Sequence, residues 1–149
     1  MTSTNRLTLY VNPAWRRGGF HTPLLNPWWG NPYEEISIFA KQLFDAHSFD
    51  TRFYTVTDNI AAADMVLSPY PYVWFLRHNT ALFEECVQTA REANLSLLID
   101  GIGDIDYPIE IENAYVLRYG GYRFLPDRRR IQIPPLADDL LERYRESRF

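Results

Sequence analysis

The chain has 149 residues, a formal net charge of −4 and 46% hydrophobic content. That length suits one domain able to bury roughly 70% of its unfolded surface, and the acidity argues against a general nucleic-acid or anionic-membrane partner. Cys86 is the single cysteine, so an intrachain disulfide and a Cys-based zinc site are excluded, and a reducing cytoplasm is the expected location.

The first residues, MTSTNRLTLYV, lack a basic region followed by an apolar stretch, so no signal peptide is expected. No apolar run approaches the ~18 residues of a membrane span. Lys41 is the only lysine beside many arginines. That bias favours planar, bidentate contacts to carboxylate or phosphate, and genome composition explains it equally well.

Arg6–Val11 predicts a first strand, closed by the turn residues Asn12-Pro13. Asn12–Gly30 is long and irregular and holds Trp15, Arg16, Arg17, Gly18, Gly19, His21, Trp28 and Trp29. A loop of that length in a small domain is functional or disordered, and its tryptophans argue against disorder. Asn31-Pro32-Tyr33-Glu34 opens a helix expected to run to about His47, with Ile36, Phe39, Ala40, Leu43 and Phe44 on its apolar face.

Thr51–Val56 predicts a second strand. Thr57-Asp58-Asn59 is a turn leading into a short helical piece through Ala63. The stretch Ala63–Trp74, ADMVLSPYPYVW, is the organising element of the chain. Its apolar run Met65–Leu67 reads as a buried third strand closed by Ser68-Pro69, and its aromatic tail, with Tyr70, Tyr72 and Trp74, reads as a loop.

Asn79 or Thr80 caps the next helix, whose buried face is Leu82, Phe83, Cys86, Val87 and Ala90. Leu95–Ile99, apolar on both sides, predicts a central fourth strand ending at Asp100-Gly101-Ile102-Gly103-Asp104. Ala114–Leu117 predicts a fifth, ending in Arg118–Arg123. Ile131–Ile133 predicts a short edge strand, and Asp138–Arg145 a terminal helix. Alternation of strands and helices predicts an α/β fold: one three-layer Rossmann-like domain over residues 1–149, with a mostly parallel central sheet.

Parallel strands would gather their outgoing loops on one edge, where open α/β sheets bind ligands. The candidate binding residues there are Trp28, Trp29, Tyr70, Tyr72, Trp74, Asp100, Asp104, Arg118, Tyr122 and Arg123. Flat rings with polar neighbours suit sugars or bases. The same rings also fit a satellite core beneath the long loop. Asp100 and Asp104 fit a ligand site and ordinary turn chemistry alike. Arg118 and Arg123 fit an anion clamp or surface ion pairs with Glu110, Glu112 or Asp127.

Arg128-Arg129-Arg130 reads as a solvated turn, His21, His47 and His78 as surface or capping residues, and Cys86 as inert core. No third ligand accompanies the aspartates, so no metal is expected. Gly101-Ile102-Gly103 is only a fragment of a dinucleotide fingerprint, so no cofactor is expected.

The segments ADMVLSPYPYVWFLRHN, LSLLIDGIGDIDYPIEIENAYVLRYGGYR and RIQIPPLADDLL resemble the bacterial exostosin-like glycosyltransferases. The matching positions are Ala63–Tyr72, Asp100–Asp104, Asn113–Arg123 and Pro134–Leu141. The resemblance implies the amino-terminal, acceptor-side half of a GT-B enzyme, which transfers sugar from a nucleotide-sugar to a glycan acceptor. It implies a glycan partner and a second domain or chain for the donor, since the sequence stops where the donor half would begin. It assigns no catalytic residue.

Two alternatives stand beside it. One is a small enzyme similar to the nucleoside deoxyribosyltransferases, with Glu84 or Glu85 offered as the catalytic Glu, although the Gly-rich context expected there is absent. The other is a non-catalytic glycan- or protein-binding module.

Overall fold

The computed structural model describes residues 6–32, 51–101, 108–119 and 129–133. Among the described residues six strands form one sheet: β1 (Leu7–Tyr10), β2 (Tyr54–Thr57), β3 (Met65–Leu67), β4 (Ser96–Asp100), β5 (Ala114–Tyr119) and β6 (Arg130–Ile133). Their order is β2-β1-β3-β4-β5-β6 and every pairing is parallel. This is an α/β Rossmann-like fold, as the alternation of elements predicts. The expected helices near 31–47 and 138–145 lie outside the described residues, as do Asp104, Tyr122 and Arg123.

Hydrophobic pattern explains strand position. In β4 the run Leu97-Leu98-Ile99 is buried on both faces, so only a central place between β3 and β5 covers it. β1 buries Leu9 and Tyr10 but exposes Leu7 at its start. β2 begins at Tyr54 rather than Thr51. Tyr54 is the register partner of Leu7, the first residue of β1, and the ladder is led in by Leu7 N–H donating to Phe53 O at 2.9 Å.

Helix α3 (Thr80–Glu92, after α1 at Asn26–Trp29 and α2 at Tyr72–His78) covers β3 and β4. Leu82, Phe83, Cys86 and Ala90 recur at three- and four-residue spacing and are its buried face. The Asn79 side chain accepts from Leu82 N–H at 3.0 Å and so caps the first turn. At the other end Asn94 takes a left-handed φ of 54°. Leu95 N–H donates to Ala90 O at 2.9 Å and Asn94 N–H to Arg91 O at 3.1 Å, which is the paired bonding of a Schellman stop.

The aromatic tail after β3 is not wholly a loop: Tyr72–His78 forms α2, with Pro71 before it. Tyr, Val, Trp and Phe are middling helix formers and no side chain caps the start. The helix is held by tertiary contact instead. Phe75 is fully buried and packs 5.2 Å from Phe83, and Tyr72 meets the same ring edge-on at 5.1 Å.

Strand β4 closes against β5 with almost no clearance. A methyl group on Gly101 would stand 2.7 Å from Val116 Cγ1 and 2.8 Å from Leu117 O, and the second of these is backbone that cannot rotate away. Gly101→Ala is therefore expected to lower stability by about 1–3 kcal/mol, read as a fall in Tm. Gly18→Ala, whose added carbon meets nothing within 4 Å, is expected to leave Tm unchanged.

Candidate functional site

The strand order reverses direction between β1 and β3. Chain leaving β1 moves towards β2 on one side, while chain leaving β3 moves towards β4 on the other. Ligands of open α/β sheets bind in the crevice at such a crossing. Here the crevice is bordered by the loop after β1 and the turn after β3.

The loop is built in short, locally determined steps. The Asn12 side chain accepts from Ala14 N–H at 2.9 Å and starts a 3-10 turn over Pro13–Trp15. Trp15 is buried, edge-on to Tyr10 at 5.8 Å, and its Nε1–H donates to Glu85 Oε1 of α3 at 2.8 Å. A second 3-10 turn, Pro23–Leu25, leads into the single turn of α1.

Three bonds tie this loop to the β3 side. Arg17 N–H donates to the Tyr70 hydroxyl, which in turn donates to Arg17 O at 2.6 Å. Thr22 N–H donates to Pro69 O at 2.8 Å. Two further contacts close the loop on itself. His21 Nε2 bonds Gly30 O at 3.0 Å, and Arg16 Nη2 donates to Trp29 O at 3.1 Å with its guanidinium 5.5 Å from the Trp29 ring centre.

The result is an open groove of about 700 Å³ walled by Arg16–His21 on one side and Trp29–Pro32 on the other. Both guanidinium groups are held by backbone carbonyls, Arg17 through Ala14 O at 2.6 Å and Arg16 O at 3.0 Å. No carboxylate among the described residues bonds either one. The wall is positive although the chain is acidic.

Of the residues that sequence singles out, Trp29, Tyr70 and Trp74 come together beside this groove. Tyr70 stacks on Trp74 at 4.1 Å and lies 6.4 Å from Trp29. Tyr70 is fully buried, so it is a support and not a free stacking face. Trp28 turns away from its neighbour and packs on Tyr54 at 5.3 Å, towards the starting end of β2. Tyr72 packs on Phe83.

Asp100 ends β4 and Arg118 lies near the end of β5, both on the same carboxyl edge. Their strands are two and three places from β1 in the sheet. Both are buried, and Arg118 Nη1 reaches Gly101 O at 3.5 Å. Arg16, Arg17 and His21 are not among the sequence-derived candidates. Their signal is Arg-Arg-Gly-Gly between tryptophans, in an over-long loop after the first strand.

His21 corrects an expectation. It is buried rather than superficial, its ring edge-on to Trp29 at 5.5 Å. Bonding a carbonyl makes Nε2 the protonated nitrogen. Burial pushes its pKa below the ordinary value and nearby Arg16 adds to the shift, while the Gly30 carbonyl and Asn26 side chain oppose it.

Cys86 is buried with its thiol pKa pushed upward by burial, consistent with inert core. Among the described residues no group of three His, Cys, Asp or Glu side chains could hold a metal ion, and no helix is long and apolar enough to cross a membrane.

Fold and site together define an all-parallel Rossmann-like α/β domain with a basic, aromatic-walled groove at its strand-order reversal. No protein-family model matches the chain, and no curated protein or solved structure matches it.

Tyr70→Phe removes the hydroxyl that both accepts from and donates to Arg17. It is expected to cost about 1–2 kcal/mol and to speed tryptic cleavage at Arg16 and Arg17. Because the folded pKa of His21 is depressed, the folded state binds fewer protons than the unfolded chain, so stability rises with pH. The contribution is complete above the ordinary histidine value of about 6.5 and is lost as pH falls through the lowered one. The drop in Tm between about pH 7.5 and about pH 5.5 should be smaller in His21→Gln than in the parent chain.

Proposed function

We propose that this domain binds carbohydrate in the groove between Arg16–His21 and Trp29–Pro32, as the acceptor-side domain of an exostosin-like, GT-B glycosyltransferase would. The observation that carries the reading is the Trp29 ring, half-buried and held in place by Arg16 and His21 beside the crevice where the strand order reverses. A partly exposed ring held by its neighbours stacks on the apolar face of a sugar, while guanidinium and backbone N–H groups bond its hydroxyls. Asp100 and Arg118, buried on the same edge, would underlie the far end of an extended acceptor. A donor site on another domain or chain would complete the transferase.

Titration with a panel of mono- and oligosaccharides is expected to change the intrinsic tryptophan fluorescence. Trp29→Ala should weaken binding roughly tenfold or more, in line with the loss of one stacked ring. An unchanged spectrum across the panel would remove the carbohydrate reading.

A second reading rests on a separate observation. Glu85 reaches from α3 to Trp15 Nε1, beside Tyr10 at the end of β1, whose pKa is raised by burial, then by Asp58 and then by Glu85. A carboxylate fixed at the end of the first strand suits a nucleoside deoxyribosyltransferase-like enzyme. Release of nucleobase from deoxynucleosides, abolished in Glu85→Gln and retained in Glu84→Gln, would favour it over the first.

A further inference from the structure

We propose that the groove selects a monosaccharide unit bearing an anionic group, phosphate or carboxylate, and that Arg17 with the Gly18-Gly19 backbone receives that group. The inference rests on the carbohydrate reading and adds the charge of the ligand to it.

Three observations point the same way. The first is how the two arginines are held. Arg16 is fixed through Trp29 O and Arg17 through Ala14 O and Arg16 O. Carbonyl bonds aim a guanidinium without cancelling its charge, and each guanidinium carries five N–H donors, of which these bonds occupy a minority. In a chain with a net charge of −4, two adjacent cations with no carboxylate among the described residues bonded to them form a local positive field.

The second is the backbone. The N–H groups of Gly18 and Gly19 donate to no acceptor among the described residues. Gly19 has a φ of +107°, a conformation that side chains rarely adopt, and nothing lies within 4 Å of where a Gly18 side chain would begin. Successive uncovered N–H groups beside a cation make an anion-binding concavity.

The third is size and shape. About 700 Å³ admits a hexose with a substituent, within the usual range for small-molecule sites. The Trp29 ring across the groove leaves the sugar face stacked while the charged end points at Arg17. A guanidinium matches either phosphate or carboxylate by two parallel bonds, so the shared chemistry is a planar or tetrahedral oxyanion.

The test is titration of the full chain, followed by tryptophan fluorescence and calorimetry. Probes are the 1-phosphates of glucose, galactose and mannose, glucuronate and galacturonate, the neutral methyl glycosides, and inorganic phosphate. At least one anionic sugar is expected to bind roughly tenfold or more tightly than its neutral counterpart, with the advantage shrinking as salt is raised. Whichever of the phosphate or uronate series binds more tightly identifies the source of the anion.

Arg17→Gln should bring the anionic sugar down to the affinity of its neutral counterpart measured on the same variant, and Arg17→Lys should restore part of the difference. Thermal melting of each variant checks that the fold is kept. Neutral and anionic sugars binding equally, or Arg17→Gln binding the anionic sugar as tightly as the parent, overturns the charge selection and spares the carbohydrate reading. Inorganic phosphate binding that depends on Arg17, with no sugar bound, keeps the anion site and overturns the sugar. Binding of none of the probes overturns both.

Discussion

The reciprocal pair between Tyr70 and the Arg17 backbone is the constraint on which the groove depends. One phenol satisfies both the N–H and the C=O of a residue 53 positions away. It does so where, among the described strands, neighbours send their chains in opposite directions. Thr22 and Pro69 add a backbone bond beside it. Without these ties a loop this long would gain little from ordering itself, because the entropy of fixing each residue is of order 1–2 kcal/mol. With them, Arg16, Arg17 and Trp29 are presented from a rigid base.

That base is itself anchored deep in the domain. Tyr70 stacks on Trp74, and both rings meet Phe75 edge-on. Phe75 packs on Phe83 of α3, whose buried face lies on β3 and β4. Tyr70 and Trp74, which read as a binding surface, thus act as its foundation, and of those aromatics Trp29 lines the groove. The polar ends of the central strands are buried as well. Ser68 Oγ lacks a hydrogen-bond partner among the described residues, a costly arrangement of about 1–3 kcal/mol for a buried hydroxyl.

Much of the fold was legible from periodicity alone. The doubly apolar run Leu95–Ile99 pointed to a central β4, and a cap at Asn79 or Thr80 with Leu82, Phe83, Cys86, Val87 and Ala90 pointed to α3, where Val87 is only half-buried. Parallel pairing followed from alternation of elements. What escaped was whatever depended on partners distant in sequence. Helix α2 is carried by Phe75 against Phe83, not by propensity, so local residues read as loop.

Trp28 and Trp29 are neighbours whose side chains diverge by the turn of α1. Composition could not say which would face Tyr54 and which the groove. His21 and Arg16 lie nine and thirteen residues from the groups they bond within one loop, beyond any local pattern. The gathering of strand ends on one carboxyl edge was legible; the floor and walls of the groove beside it were not.

Cys86 sits on the underside of α3, sealed from solvent with a thiol that burial keeps protonated. Reagents that need the thiolate have nothing to attack while the helix rests on the sheet. Thiol alkylation of this chain therefore registers only the moments when α3 lifts away, which makes its one thiol a native clock for breathing of the domain's interior.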